Sequence, residues 1–115
     1  MSSIKKPYSS LLELIGTTDS NRGHRTRLTI AFDVDSTLID HEERPIYKNV
    51  MLLKRFVEDG MDVVIWSGGG VSYAERFSRK LGFEGLVRVV EKGSELVDLA
   101  FDDQLVNLGK VNYEV

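Results

Sequence analysis

Two pairs of aspartates follow apolar runs of the sequence, and together they could carry phosphoryl-transfer chemistry. Asp33 and Asp35 follow the run at residues 28–32, and Asp102 and Asp103 follow the run at residues 96–101. A carboxylate can attack a phosphoryl group to form an acyl phosphate, and a second carboxylic acid can exchange protons with the leaving oxygen and with water. We therefore predict Asp33 as the nucleophile and Asp35 as the general acid and base. The alternative is that Asp33 caps a turn, where aspartate is common, and that Asp35 is a solvated surface residue.

The second aspartate pair predicts a magnesium site. Carboxylate oxygens are hard ligands of the kind that magnesium prefers, and Asp102 with Asp33 could hold such an ion. Burying three or four carboxylates together without a cation would be very costly. Magnesium is therefore the cofactor that the aspartates indicate, and a plain turn at Asp102 is the alternative.

Ser67 and the three glycines at residues 68–70 precede a predicted helix. A hydroxyl group and free backbone N–H groups at a helix N-terminus form an anion site, and glycines let a phosphate approach the backbone closely. The residues match neither the Walker pattern nor the dinucleotide fingerprint. We predict that Ser67 and Gly68 bind phosphate; a flexible loop capped by Ser67 is the alternative.

Lysine supplies the positive charge in this set of candidates. Lys92 lies between the third and fourth apolar runs, where its ammonium group would offset the negative charge of Asp33 and of a phosphate. Lys110 is the rival candidate, and the sequence leaves the choice open. An isolated lysine is otherwise a solvated surface residue.

These candidates need a scaffold that brings their side chains together. Short apolar runs at residues 28–32, 61–66, 86–90 and 96–101 predict buried strands, and residues 111–115 predict a last short strand. Apolar residues spaced three and four apart predict helices from Ile46 to Val57 and from Val71 to Leu81. The alternation predicts a parallel sheet in a three-layer α/β sandwich. Ligands of such sheets bind beyond the carboxyl ends of the strands, where the candidates stand.

The composition narrows the class of protein further. The chain has 115 residues, enough for one domain, and its net charge of −3 gives no reason to expect nucleic-acid or membrane binding. The absence of cysteine excludes disulfides, thiolate nucleophiles and cysteine-bound metals. We expect a cytoplasmic protein. Residues 1–27 are predicted to form an N-terminal extension with a short helix near residues 10–15, and residues 28–115 are predicted to form the catalytic core.

The motifs resemble those of the haloacid dehalogenase-like (HAD) superfamily. Residues 30–37 resemble its first motif, residues 65–68 its second, Lys92 its third, and Asp102 with Asp103 its acidic fourth. The resemblance covers residues 27–108, and the first motif is the specific one. It implies a Rossmann-like core and phosphoryl transfer through an aspartyl phosphate.

The resemblance also implies roles for individual residues. Asp33 would ligate magnesium as well as attack, and Asp35 would offer its backbone carbonyl to the ion. Asp103 would be a ligand or lie next to one. Thr37 would belong to the phosphate-binding loop and support it. Most members with a second aspartate two residues after the first are phosphatases, so Asp35 favours a phosphatase.

The resemblance has a consequence for substrates. The segments at residues 38–45 and 91–95 are too short for the cap domain common in this superfamily, so we expect a capless member. Such members tend to act on large substrates, or to form homo-oligomers in which a neighbour covers the site. A phosphoprotein, a nucleic-acid terminus, a nucleotide and a sugar phosphate are all compatible.

Two further functions stay open beside hydrolysis. A phosphotransferase would share the first half-reaction, and a non-catalytic phospho-acceptor or binding domain could have the same fold. Asp35 argues against a simple acceptor, because only turnover requires an acid and base two residues past the acceptor.

Overall fold

A five-stranded sheet, parallel throughout, organises residues 27–115, which the computed structural model describes. The predicted helix near residues 10–15 lies outside these residues. The elements follow in the order β1 (Thr29–Asp33), α1 (Tyr47–Glu58), β2 (Asp62–Trp66), α2 (Val71–Lys80), β3 (Arg88–Val89), β4 (Val97–Asp102) and β5 (Gly109–Glu114). In space the strands run in the order β3-β2-β1-β4-β5. The predicted α/β class and Rossmann-like parallel sheet are therefore confirmed.

Both helices pack on one face of the sheet. Each contacts the sheet through an apolar stripe at helical spacing. The stripes and the strands share one buried core, which contains Leu53 and Phe56 of α1 and Ala74 and Phe77 of α2. Both helices end before glycines in the left-handed conformation, Gly60 at φ 81° and Gly82 at φ 88°. Within residues 27–115, no helix is long and apolar enough to cross a membrane.

Stacked aromatic rings hold three neighbouring strands, β1, β4 and β5, to one another on this helical face. Phe32 of β1 stacks on Phe101 of β4 with ring centroids 4.7 Å apart, and Phe101 stacks on Tyr113 of β5 at 5.1 Å. Full burial of one such side chain contributes about 1.5–3 kcal/mol. The stack lies one residue before the ends of β1 and β4. The stack therefore helps to keep the ends of β1 and β4, and with them Asp33 and Asp102, level with each other along the strand direction.

The other face of the sheet is crossed by short connections in the described part of the chain. Its buried residues include Val64, Trp66 and Ala100, and Val90 and Leu108 pack against them. Val90 belongs to the segment that returns from β3 past β2 and β1 to β4, and Leu108 belongs to the segment from β4 to β5. The first of these segments starts at the carboxyl edge of the sheet. The second helical layer of the predicted sandwich is not found within residues 27–115.

The edge strands differ in length from the prediction. β3 is reduced to Arg88–Val89, because a turn occupies residues 83–86, where the Leu86 N–H group donates to the Phe83 carbonyl. Arg88 ties this edge to β2 through two 2.9 Å hydrogen bonds to Asp62. The last strand starts earlier than predicted, at Gly109, and it runs parallel to β4.

Candidate active site

The predicted site residues converge at the carboxyl edge of the sheet. Asp33 ends β1, Asp102 ends β4, and Ser67 directly follows β2. Parallel pairing aligns Phe32 with Phe101, so the two aspartates that follow leave adjacent strands at the same level. Both carboxylates are buried, with Asp33 5% and Asp102 2% exposed. The sheet therefore holds acidic groups where water is largely excluded.

Three carboxylates form one cluster at this edge. Asp33, Asp102 and Asp103 each place an oxygen atom within 4.8 Å of the others. Lys92 enters the cluster on the segment that leaves β3. Its Nζ donates to Asp33 Oδ1 at 3.1 Å and lies 2.7 Å from Asp102 Oδ2. Because one ammonium group faces three carboxylates, the cluster keeps an excess of negative charge.

Lys110, the rival candidate, lies at the opposite end of the sheet. It is the second residue of β5, and β5 starts opposite Val97 at the amino end of β4. Its Nζ is 3.4 Å from Asp98 Oδ1, near the start of the same strand. Of the two lysines that the sequence left open, the fold brings Lys92 to the aspartates. Its catalytic role stays a prediction.

The cluster perturbs the protonation of its members. Burial and then the Asp102 charge raise the pKa of Asp33 from 3.8 to about 6, although Lys92 opposes them. Burial and then the contact with Asp102 raise the pKa of Asp103. Burial would lower the pKa of Lys92, but its hydrogen bonds to Asp102 and Asp33 outweigh burial and raise it. The lysine therefore stays charged, while Asp33 and Asp103 resist ionisation.

These observations fit a divalent cation. The oxygen atoms are close enough to share one ion, they are the hard ligands that magnesium prefers, and their charge exceeds what Lys92 offsets. Asp33, Asp102 and Asp103 are the residues that would hold it. The Asp35 carboxylate is outside this group. Metal binding through the Asp35 backbone carbonyl stays a prediction.

The raised pKa of Asp33 predicts a pH-dependent stability of the metal-free protein. A carboxyl group whose pKa is raised by folding lowers the free energy of unfolding when it ionises. This cost is absent at a pH below 3.8, the pKa of the aspartate in the unfolded chain. With chelator at pH 8, we expect Asp33→Asn to be more stable than wild type by up to about 3 kcal/mol. The difference should shrink as the pH falls through 6 and vanish near pH 4. Urea denaturation across this range measures it, and a pH-independent difference would contradict the assignment.

A tight turn at residues 34–39 follows Asp33 directly, beside the carboxylate cluster. The Val34 carbonyl accepts hydrogen bonds from the backbone N–H groups of residues 37–39. Ser36 adopts φ 62°, a left-handed conformation that glycine adopts without strain. Asn49 of α1, itself buried, donates from Nδ2 to the Thr37 carbonyl at 2.8 Å. The helix thus holds the turn that directly follows Asp33 and contains Asp35.

Removing the Asn49 amide should loosen this turn. Asn49→Ala leaves the Thr37 carbonyl without its side-chain donor, so we expect the free energy of unfolding to fall by about 1–3 kcal/mol. Lys48→Ala, an exposed change in the same helix, is the matched control and should alter it by less than about 0.5 kcal/mol. Urea denaturation compares the two. Equal losses would show that the hydrogen bond does not stabilise the turn.

Thr37 is fully buried beneath the turn, and its hydroxyl has no hydrogen-bond partner among residues 27–115. This placement agrees with support of the loop; direct contact with phosphate stays a prediction. The neighbouring flap, in which Ile39 bridges Pro45, returns the chain to α1. Within residues 27–115, this short connection and the one after β3 contain no inserted domain, and the carboxyl edge has no cap.

Ser67 and the glycines after it lead directly into α2. Ser67 is 3% exposed, and its Oγ accepts a hydrogen bond from the Gly69 N–H group at 3.0 Å. Gly70, at φ 105°, is the residue before the helix. The first N–H groups of a helix lack partners within it, so the start of α2 offers donors at the edge that carries the carboxylates. Gly68 is exposed with open space beside it. Phosphate binding by Ser67 and Gly68 stays a prediction.

Tyr73 is the site residue that the sequence did not reveal. Its hydroxyl group donates to Asp35 Oδ1 at 2.5 Å, and this hydrogen bond, followed by burial, raises the pKa of Tyr73 to about 12. The helical periodicity marked Val71, Ala74 and Phe77 as the buried stripe, so Tyr73 had no assigned role. The glycine at position 69 was the available signal, because the Tyr73 ring lies against it.

The family of haloacid dehalogenase-like hydrolases matches residues 30–104, a range that contains all the predicted site residues. The chain therefore belongs to this family of hydrolases. No curated protein and no solved structure matches it.

Proposed function

We propose that the protein is a magnesium-dependent phosphatase that forms an aspartyl phosphate on Asp33. The observation that carries the proposal is the position of Lys92, whose Nζ lies within 3.1 Å of both Asp33 and Asp102 in the carboxylate cluster. A lysine fixed between two buried carboxylates is suited to steady a nucleophile and an incoming phosphoryl group of the same charge. Membership of a hydrolase family supports the same reaction class.

The first half-reaction transfers the phosphoryl group to the enzyme. An Asp33 carboxylate oxygen forms a bond to phosphorus while the bond from phosphorus to the ester oxygen breaks. Asp35 gives its proton to that leaving oxygen, so the alcohol departs neutral. Ser67, the Gly68 N–H group and the start of α2 hold the phosphoryl oxygens, and Lys92 offsets charge as it builds up.

The second half-reaction returns the enzyme to its starting state. Water gives a proton to Asp35 and bonds to phosphorus, and the bond between phosphorus and the Asp33 oxygen breaks. Inorganic phosphate leaves, Asp33 is again a carboxylate, and Asp35 again carries the proton for the next cycle. Asp35 is exposed, which lets it meet both the leaving alcohol and the incoming water.

Magnesium would be held by Asp33, Asp102 and Asp103 together with the Asp35 backbone carbonyl. When bound, the ion supplies positive charge that offsets the negative phosphoryl oxygens and makes phosphorus easier to attack. The excess negative charge of the cluster supports this part of the proposal.

The exposed edge bears on the choice of substrate. No inserted domain covers the site in residues 27–115, an arrangement that favours exclusion of water by the substrate itself or by a second copy of the chain. We propose a phosphorylated substrate large enough to cover the carboxyl edge, with closure by a homo-oligomer as the second arrangement. The compartment in which this takes place stays a prediction.

Hydrolysis of p-nitrophenyl phosphate tests the proposal. We expect release in the presence of magnesium that chelator abolishes and added magnesium restores. Equal release of p-nitrophenol and phosphate would identify water as the acceptor, whereas a deficit of phosphate in the presence of an alcohol would favour a phosphotransferase. Release that is unaffected by chelator would contradict the magnesium-dependent mechanism.

A further inference from the structure

The side chain of Tyr73 connects two parts of the site that are distant in sequence. Tyr73 is the third residue of α2, and its hydroxyl group reaches Asp35 in the turn after β1 at 2.5 Å. Its ring is braced edge-on against Phe77, with centroids 5.0 Å apart. Within residues 27–115, this is the one hydrogen bond of the Asp35 side chain. The tyrosine therefore fixes a carboxylate that would otherwise rotate freely.

The loop before α2 is shaped to admit this ring. A Cβ atom at Gly69 would lie 3.2 Å from Cγ and Cδ2 of Tyr73, and 3.4 Å from Ser67 Oγ. Gly70 adopts a left-handed backbone conformation, but Gly69 does not. Close approach of the ring therefore explains a glycine at position 69, and backbone conformation does not. The same loop thus serves Ser67 on one side and Tyr73 on the other.

A general acid must be held within hydrogen-bond reach of the oxygen that it protonates, because efficiency depends on geometry. Asp35 is exposed, so packing does not restrain its carboxylate. Donation from Tyr73 engages Oδ1, whereas Oδ2 has no hydrogen-bond partner within residues 27–115. The hydrogen bond thus restrains the orientation of the carboxylate and leaves Oδ2 accessible.

We propose that Tyr73 is a positioning residue for the acid–base step, holding the Asp35 carboxylate through Oδ1 so that Oδ2 exchanges the proton with the leaving group. The inference rests on the proposed phosphatase function. Tyr73 acts through Asp35 and contacts neither phosphorus nor the nucleophile in this scheme.

Leaving groups of different basicity test the role of Tyr73. p-Nitrophenolate leaves without a proton, whereas an alkoxide requires one, so only the alkyl ester depends on the acid. For Tyr73→Phe we expect kcat/KM to fall about tenfold with an alkyl phosphate and less than about twofold with p-nitrophenyl phosphate. kcat/KM is the informative quantity, because it reports the step in which the leaving group departs.

Two further proteins complete the experiment. Tyr47→Phe removes the hydroxyl group of an exposed tyrosine on α1 and should leave both substrates unaffected. In an Asp35→Asn background, Tyr73→Phe should cause no further loss, because residues that act as one unit are not additive. Selective loss that disappears in this background would support the inference.

The contrary outcomes separate the inference from the function on which it rests. Equal losses with both substrates, or a loss that persists in the Asp35→Asn background, would overturn the role of Tyr73 and leave the phosphatase proposal standing. Absence of Asp33-dependent hydrolysis in the wild-type protein would overturn both.

Discussion

Replacing Asp33 with asparagine is expected to lower magnesium-dependent phosphate release by roughly a thousandfold or more. An amide oxygen is a poor nucleophile, so the aspartyl phosphate does not form. The change keeps nearly the same shape, and the asparagine oxygen can still accept the hydrogen bond from Lys92 Nζ, now 3.1 Å from Asp33 Oδ1. The loss should therefore occur in a folded protein, which circular dichroism checks.

Asp98→Asn is the matched control for this substitution. Asp98 is also an aspartate of the parallel sheet, but it lies near the start of β4, where it accepts a hydrogen bond from the Thr29 N–H group and pairs with Lys110. It has no place in the proposed reaction, so activity should stay within about twofold of wild type. Similar losses in the two variants would point to damage to the fold rather than loss of a nucleophile.

Chemical trapping separates the nucleophile from a mere metal ligand, because losing either would lower activity. Borohydride added during turnover reduces an aspartyl phosphate to homoserine, and mass spectrometry of the digested wild-type protein should find homoserine at position 33. Residual activity near the wild-type level in Asp33→Asn, or homoserine at another aspartate, would contradict the assignment.

Most of the site could be predicted because parallel strands share one carboxyl edge. Asp33 and Asp102 are far apart along the chain, yet each directly follows a short apolar run, and that position suffices to bring them together. Their identity as carboxylates then indicated a cation, which the cluster with Asp103 fits. The pattern of apolar residues thus determined both the fold class and the place of the chemistry.

The features that sequence could not supply depend on how connections cross the sheet. The third apolar run places Lys92 beyond the carboxyl end of a strand, but local pattern does not say that β5 runs parallel and starts its ladder near Lys110. The connections within residues 27–115 that cross the face opposite α1 and α2 form no helix, and they place Val90 and Leu108 against that face.

Tyr73 escaped prediction for a different reason. Its contact with Asp35 depends on the lateral distance between the turn after β1 and the first turn of α2, and this distance is set by packing of the whole helix against β2. A periodic pattern reveals which residues face the core, whereas a side chain that reaches along the surface of the site leaves no periodic signal. Gly69 carried the only local indication, through the close approach of the ring.

The second large expected effect concerns the two candidate lysines, which lie at opposite ends of the sheet. Lys92→Met should lower magnesium-dependent activity by about a hundredfold to a thousandfold, the range found when one charge-stabilising donor is removed from an active site. Methionine keeps most of the length and the apolar character of the lysine stem but removes the charge, so the carboxylates of Asp33 and Asp102 lose their shared partner. Steady-state kinetics at saturating magnesium measures the effect, because weaker binding of the ion is then not limiting.

Lys110→Met is the same chemical change at the other end of the sheet. Lys110 is exposed and pairs with Asp98 at 3.4 Å, an arrangement worth no more than about 1 kcal/mol to stability. We expect its activity to stay within about twofold of wild type, since β5 carries it away from the reacting groups. Comparable losses in the two variants, or a larger loss in Lys110→Met, would show that the geometry at Asp33 does not identify the lysine that the reaction uses. A loss confined to Lys92→Met would mean that the connection after β3, rather than the strands alone, completes the site.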